Sequence, residues 1–274
     1  MRGRVLITGA GSGIGRACAR FLAEEGFHIL AAGRRADPLS TLAQEKPGSI
    51  TPVVMDVTKP HSIEGVLSAI SPIDAVVNNA GIAVMGPLEA VSLEDWRRVF
   101  ETNVFGIANV CRAVLPQMRQ RGKGRIIQIG SVAGRVTPPF HGVYGAAKHA
   151  VEGFTDALRR EVEPHGLFVS LIRPGFINTS FGEQEQETLA AYRIDGYTEQ
   201  VDAFAHWHRE KGHKAAPGPI VVAQTVERAL TDLVPKARYA CPRQAQLTLA
   251  LRQVLPDRVI DKALDWTIRW ASRS

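Results

Sequence analysis

Short apolar runs at residues 5–8, 28–32, 51–55, 75–78, 125–129, 168–172 and 238–241 alternate with longer stretches of helical periodicity at about 14–25, 62–70, 92–119, 144–163 and 222–233. Strands separated by helices of this length cannot pair as hairpins. They pair in parallel, and each crossover lays a helix over the sheet. The run Ile73-Asp74-Ala75-Val76-Val77 agrees, because a strand covered on both faces is almost continuously apolar. The fold expected is α/β, a doubly wound parallel sheet of Rossmann type with helices on both faces.

No Ser/Pro-rich linker, repeat or low-complexity block divides the 274 residues, so one domain is expected. With 45% hydrophobic and 22% charged residues, the chain has material for a full core, which excludes disorder as its main state. Two segments depart from the regular pattern. From about 180 to 219 the sequence turns polar and aromatic, with Phe181, Tyr192, Tyr197, Phe204 and Trp207 among many charges. An insertion of this kind hanging off a sheet is expected to form a substrate lid, with a subunit contact sealed by the same aromatics as the alternative. From about 243 to 274 the pattern is helical again. Val259, Ile260, Ala263, Leu264, Trp266, Ile268 and Trp270 fall mostly on one side, against Arg258, Asp261, Lys262, Asp265 and Arg269 on the other. Such a helix covers the body, contacts a second subunit or lies on a membrane surface.

The 33 basic and 27 acidic residues leave a formal net charge of +6. The basic residues are scattered, with Arg34-Arg35, Arg97-Arg98 and Arg159-Arg160 the only adjacent pairs, so no nucleic-acid surface is expected. Cys18, Cys111 and Cys241 are odd in number and lack CxxC spacing, which fits neither a disulfide framework nor a zinc site. Met1 to Arg4 lead straight into an apolar run, which leaves no room for the apolar region of a signal peptide, and no run of 18 apolar residues occurs. A soluble, cytoplasmic protein without a membrane span is expected, with peripheral membrane contact left open by the terminal helix.

The first predicted strand ends in Thr8-Gly9-Ala10-Gly11-Ser12-Gly13-Ile14-Gly15, and a helix opens at once. Glycines let the backbone approach a pyrophosphate, while free N–H groups and the helix N-terminus stabilise its charge. A carboxylate near the end of the second strand would mark an NAD site. The sequence instead reads Ala31-Ala32-Gly33-Arg34-Arg35, with guanidinium groups where a 2′-phosphate would lie. NADP(H) is favoured over NAD(H), which stays the alternative.

Tyr144 and Lys148 are four residues apart on a predicted helix, so both project from one face. An unperturbed tyrosine, with a pKa of about 10, needs a nearby cation to act as an acid–base group at neutral pH, and a lysine supplies it.

Taken together, the Thr8 to Gly15 turn, Asp56-Val57, Asn78-Asn79-Ala80-Gly81, Asn103 in Thr102-Asn103-Val104, Ser131 after a strand, Tyr144-Gly-Ala-Ala-Lys148 and Arg173-Pro174-Gly175 resemble the short-chain dehydrogenases/reductases. The resemblance covers about residues 3–180, in order and at the family's spacing. The stretches at 131–140 and 151–161 look more like the branch that holds 17β-hydroxysteroid and retinol dehydrogenases. The resemblance implies that Tyr144 is the proton donor to a carbonyl, or acceptor from an alcohol, and that Ser131 hydrogen-bonds the substrate oxygen. It implies that Lys148 binds the nicotinamide ribose and lowers the tyrosine pKa, and that Asn103 holds a water linking the lysine to solvent. Gly9, Ser12, Gly13, Ile14 and Gly15 would line the pyrophosphate site, and Asp56 and Val57 the adenine. Asn78, Ala80 and Gly81 would form the central strand's cofactor edge, with Pro174, Gly175, Ile177 and Thr179 beside the carboxamide. A dimer or tetramer of identical chains is expected.

There are departures from the family pattern. Ser12 stands where many NADP-binding members carry a basic residue, so 2′-phosphate recognition falls largely to Arg34, and Ala147 replaces a serine often found before the lysine. His206, His208 and His213 cluster beside Trp207 but have no acidic or cysteine partner at ligand spacing, so no metal site is expected. His141 and His149 flank the tyrosine and lysine, and neither is read as catalytic. The reading that follows is an NADP(H)-dependent oxidoreductase acting on the carbonyl or alcohol of a moderately hydrophobic small molecule. A catalytically idle, cofactor-gated binding protein on the same fold is the alternative.

Overall fold

The computed structural model describes residues 2–70 and 72–271, with the side-chain surroundings of 211, 213, 270 and 271 excepted. The expected residues His213 and Trp270 therefore lie outside the described side chains. Seven strands form one sheet: β1 (Arg4–Thr8), β2 (His28–Gly33), β3 (Ile50–Val54), β4 (Ala75–Asn78), β5 (Gly124–Ile129), β6 (Leu167–Pro174) and β7 (Arg238–Cys241). Their order is β3-β2-β1-β4-β5-β6-β7 and every pairing is parallel. Strand order reverses between β1 and β4, where Val5 pairs with Ala75 and Ile7 with Val77. At such a switch point the crossovers leave to opposite faces and open a crevice beyond the strands' carboxyl ends.

Strand periodicity divides the core. On β1, Val5 and Ile7 face one layer and Leu6 the other, and all three are buried. The first layer packs α1 (Gly13–Glu24), through Cys18, Ala19 and Leu22, and α9 (Ile220–Thr231), through Val222, Ala223 and Val226, against the sheet. The second packs α3 (Pro60–Ile70), α5 (Gly106–Arg121) and α6 (Gly142–Val162), through Ile63, Val110, Val114 and Val151. Each fully buried Leu, Ile or Val contributes on the order of 1.5–3 kcal/mol, so the two layers fix the sheet that carries the crevice.

Two helical details differ from expectation. A helix α2 (Ala36–Glu45) follows β2 although the sequence signals none; its proline lies in the first turn, where no backbone N–H is needed, and Leu39 and Leu42 are buried. The single helix expected over 92–119 is α4 (Leu93–Phe100) and α5 joined by a five-residue π turn, Glu101–Phe105. Ser92 caps α4 by accepting a hydrogen bond from Asp95 N at 3.1 Å.

The polar segment after β6 folds as α7 (Phe181–Ala191), α8 (Thr198–His206) and a π segment, Trp207–Lys214. Leu189, Val201, Phe204 and Trp207 form a small core of their own with Met85 and Ile268. The last two helices are α10 (Arg243–Val254) and α11 (Asp257–Ala271). Helix α11 lies against α8 through the buried Ile268, while Val259 and Trp266 are exposed, Trp266 at 67%. Part of the apolar face thus covers the body and part does not. Among the described residues no helix is long and apolar enough to cross a membrane.

Candidate active site

A cavity of about 640 Å³ lies along the carboxyl ends of the strands. The turn after β1 forms one end of it. Gly9 has φ +66°, and a Cβ there would sit 2.9 Å from Ala80 Cα; a Cβ at Gly15 would sit 2.3 Å from Gly9 O. Only glycine allows this closeness of turn, helix and neighbouring loop. Thr8 Oγ1 accepts hydrogen bonds from Asn79 N at 3.0 Å and Ala80 N at 2.9 Å, and Asn79 Nδ2 donates to Thr8 O at 2.9 Å. The turn is thereby stitched to the loop after β4. Ser12 stands at the N-cap of α1 with no side-chain capping bond, so the first-turn N–H groups remain available to an anion. The cradle is a fit for a dinucleotide pyrophosphate: a Cβ would fill it, and its donors are backbone.

Gly9, Ser12, Gly13, Ile14, Arg34, Asp56, Val57, Ala80 and Gly81 all line the cavity, as do Ser131, Tyr144, Lys148, Pro174, Gly175, Ile177 and Thr179. Gly15, Asn78 and Asn103 do not. Gly15 acts through the approach described above. Asn78 is buried and donates to Cys111 Sγ at 3.5 Å, away from the cavity; its neighbour Asn79 lines the wall instead. Alternation along the strand decides this, because adjacent residues point to opposite faces. Asn103 is fully buried in the π turn, where its side chain accepts from Ile82 N at 2.9 Å and donates to Ile82 O at 2.8 Å. The amide holds the loop that borders the cavity, and it is spent on backbone.

Arg34 and Arg35 are exposed at the cavity's edge, and neither has an ion-pair partner among the described residues. Asp56 Oδ1 accepts from Thr58 N at 2.9 Å and Thr58 Oγ1 at 2.8 Å, which fixes the loop after β3. Across the turn, Thr179 Cβ lies 3.6 Å from where a Cβ on Gly13 would be, so the segment after β6 closes toward the glycines.

Ser131, Tyr144 and Lys148 meet midway along the cavity. Ser131 ends β5 and caps a 3-10 turn (Val132–Gly134), accepting from Ala133 N at 3.0 Å. That turn is pressed onto α6: a Cβ on Gly134 would lie 2.9 Å from Lys148 O, and His149 Nδ1 sits 2.8 Å from Gly134 O. The Ser131 side chain also bears on the Tyr144 hydroxyl. Burial pushes the Tyr144 phenol above its ordinary value, the Glu185 carboxylate adds to the rise, and Ser131 opposes it. Lys148 donates to Ile129 O at 2.7 Å, and burial lowers its pKa to about 8. Its Nζ is 5.6 Å from the Tyr144 ring centre. The phenol thus stays protonated beside Lys148.

The far end of the cavity is walled by Ala133, Val136, Pro138, Phe176, Phe181 and Trp207, together with the polar His141, Glu185 and His208. Phe181 lies 5.9 Å from Tyr144, centre to centre. Of the five aromatics expected in a lid, Phe181 and Trp207 line the cavity. Phe204 is in the small core of that segment. Tyr192 Oη donates to Asp95 Oδ2 at 2.5 Å, and Tyr197 is edge-on to Phe140. These two fasten the segment to the rest of the chain. Sequence reasoning missed Glu185 and set His141 aside as non-catalytic: they lie 23 and 67 residues before His208, and no local spacing joins them.

The short chain dehydrogenase family profile matches residues 4–190. The chain is 33% identical over 269 residues to the uncharacterized oxidoreductase YbbO of Escherichia coli (strain K12), covering 96% of this chain and 94% of that one. It is 32% identical over 270 residues to the NADPH-dependent 3-dehydrocapnine reductase of Ornithobacterium rhinotracheale (94% of both chains) and 32% over 266 residues to retinol dehydrogenase 8 of Bos taurus (92% and 85%). Among solved structures, the closed form of serine dehydrogenase complexed with NADP+ superimposes with TM-score 0.76 at 31% identity, over 88% of this chain and 95% of that one. A short-chain dehydrogenase from Streptomyces avermitilis gives 0.80 at 28% over 99% of both. One from Burkholderia phymatum in complex with NAD gives 0.75 at 26% over 92% of both.

Proposed function

The chain belongs to the short-chain dehydrogenase family, and on that premise we propose that it is an NADP(H)-preferring enzyme that interconverts carbonyl and alcohol on a moderately hydrophobic small molecule. Membership makes it an NAD(P)-dependent oxidoreductase. The observation that carries the finer reading is a single cavity with the glycine turn and Arg34 at one end, Ser131, Tyr144 and Lys148 in the middle and an apolar wall at the other end.

The nicotinamide cofactor, when bound, supplies or accepts the hydride. The chain's residues handle the proton. Tyr144 rests protonated, held so by burial, and gives its proton to the carbonyl oxygen as negative charge develops there. Ser131 donates to the same oxygen and steadies it. Lys148 is mostly cationic below its pKa of about 8; it offsets the phenolate left behind and has N–H groups beyond the one given to Ile129 O for ribose hydroxyls.

For the cofactor, the exposed Arg34 and Arg35 and the lack of a carboxylate at the end of β2 support the 2′-phosphate form. The NADPH-dependent relative and the NADP+ complex agree with this, and the NAD complex marks the alternative. For the substrate, Phe176, Phe181 and Trp207 support an apolar body that excludes water from the reacting carbon. Three free, buried cysteines support a cytoplasmic setting, and the exposed Leu93 and Phe105 support self-association.

The test is a cofactor-consumption screen of ketones, aldehydes, steroids and retinoids with NADPH and NADH. Turnover at least tenfold faster with NADPH on an apolar carbonyl is the expected result. Tight NADPH binding with no turnover on any class would replace the enzyme with a cofactor-gated binding protein.

A further inference from the structure

Three side chains of metal-ligand type converge at the lid end of the cavity. His141 stands at the start of α6, Glu185 on α7 and His208 in the π segment after α8; all are buried, Glu185 to 3% exposure. Glu185 Oε1 lies 3.3 Å from His141 Nε2, and Oε2 lies 3.4 Å from His208 Nε2. One ligand atom from each residue lies within 4.8 Å of the other two.

The donor set is the first argument. Two imidazoles and a carboxylate suit a borderline divalent cation such as Zn²⁺. Spacing is the second: donors held ~2.0–2.2 Å from one centre at tetrahedral angles stand roughly 3.3–3.5 Å apart, which is the separation of both His–Glu pairs. Direction is the third. His141 Nε2 is close to the carboxylate yet makes no hydrogen bond with it, and Nδ1 has no hydrogen-bond partner either. Buried imidazole nitrogens are ordinarily paired, and an ion shared with the neighbouring carboxylate would satisfy Nε2 where a hydrogen bond does not. The surroundings add two features. Gln186 Nε2 is 3.0 Å from His208 Nδ1, which holds that ring with its other nitrogen toward Glu185, as an outer-shell partner does. Phe140, immediately before His141, has φ +64°, a left-handed conformation that costs free energy and persists where its surroundings require it.

We propose that His141, Glu185 and His208 bind one divalent cation of the zinc class. Glu185 and His208 belong to the lid and His141 to the body, so the ion fastens the lid closed over the cavity. All three residues line the cavity, and the remaining coordination positions open to it, available to water or to an oxygen of the substrate. The site does not depend on the redox reading above.

The experiment uses the full, untagged chain, stripped with a chelator and titrated with Co²⁺ by visible absorption and with Zn²⁺ by calorimetry. One ion per chain is expected, with Zn²⁺ displacing Co²⁺ and slowing hydrogen exchange across 181–214. Glu185→Gln and His208→Gln should each weaken binding at least tenfold while circular dichroism stays unchanged, and His165→Ala, an exposed histidine elsewhere, should leave it as it is. Absence of stoichiometric binding to the unaltered chain overturns the proposal, even if a variant fails to fold. So does binding that survives both substitutions in the cluster.

Discussion

The glycine-turn end of the cavity is walled by backbone, with Gly9, Gly13 and the Thr8 hydroxyl fixing every close approach within a few residues of chain, whereas the lid end is walled by side chains from 133–141, 176–185 and 207–217. On the proposed function, the glycine turn meets the pyrophosphate common to both cofactors through backbone atoms, and the lid end meets one substrate through particular side chains. A substitution in the turn should therefore act on shape and stability, and one among the side chains that line the cavity, Arg34 included, on selectivity.

The seam between them gives the largest effect. Tyr144→Phe should cut turnover by ~10³-fold or more while cofactor affinity, measured by fluorescence titration, changes less than about twofold. Near-normal turnover would remove the tyrosine from the chemistry. At the backbone-built end, Gly15→Ala should destabilise the fold by ~2–3 kcal/mol, because its methyl meets Gly9 O at 2.3 Å. A melting temperature equal to the parent's would show that the turn yields more than its contacts allow.

Arg34→Ala comes next. Loss of a charge-assisted contact of ~2 kcal/mol should weaken NADPH about 30-fold and leave NADH within about twofold. Equal loss for both would mean that Arg34 does not read the 2′-phosphate. The smallest effect lies at the other end: Phe181→Ala should raise KM for an apolar substrate by about fivefold with cofactor KM unchanged. Should both constants move together, the two ends are coupled and the comparison fails.

The same division explains what the sequence shows. The central strands are legible because burial on two faces leaves an almost unbroken apolar run, and the glycine turn is legible because its geometry is local. Helix α2 is not, since Pro38 and the polar residues around it mask a short amphipathic pattern that only the packing of Leu39 and Leu42 completes. Asn78 and Asn79 exchange places because a one-residue register cannot be read from adjacent asparagines. Glu185 beside His141 and His208 is invisible to any spacing rule, as is the assignment of Tyr192 and Tyr197 to lid anchoring. Side-chain juxtaposition across 67 residues is a product of the fold, not a pattern in the chain.

The five-residue π turn at Glu101–Phe105 can be viewed as a helix carrying one residue too many. Removing that surplus residue would restore regular winding and leave the flanking helices in phase, because the wide turn takes up the extra residue without advancing the rotation. The register that aims the Asn103 amide at Ile82 N and O belongs to the wide turn and would go with it. A chain of this kind thus keeps α4 and α5 through a single deletion between them and loses the clasp on the cavity loop, so the extra residue serves the site and not the scaffold.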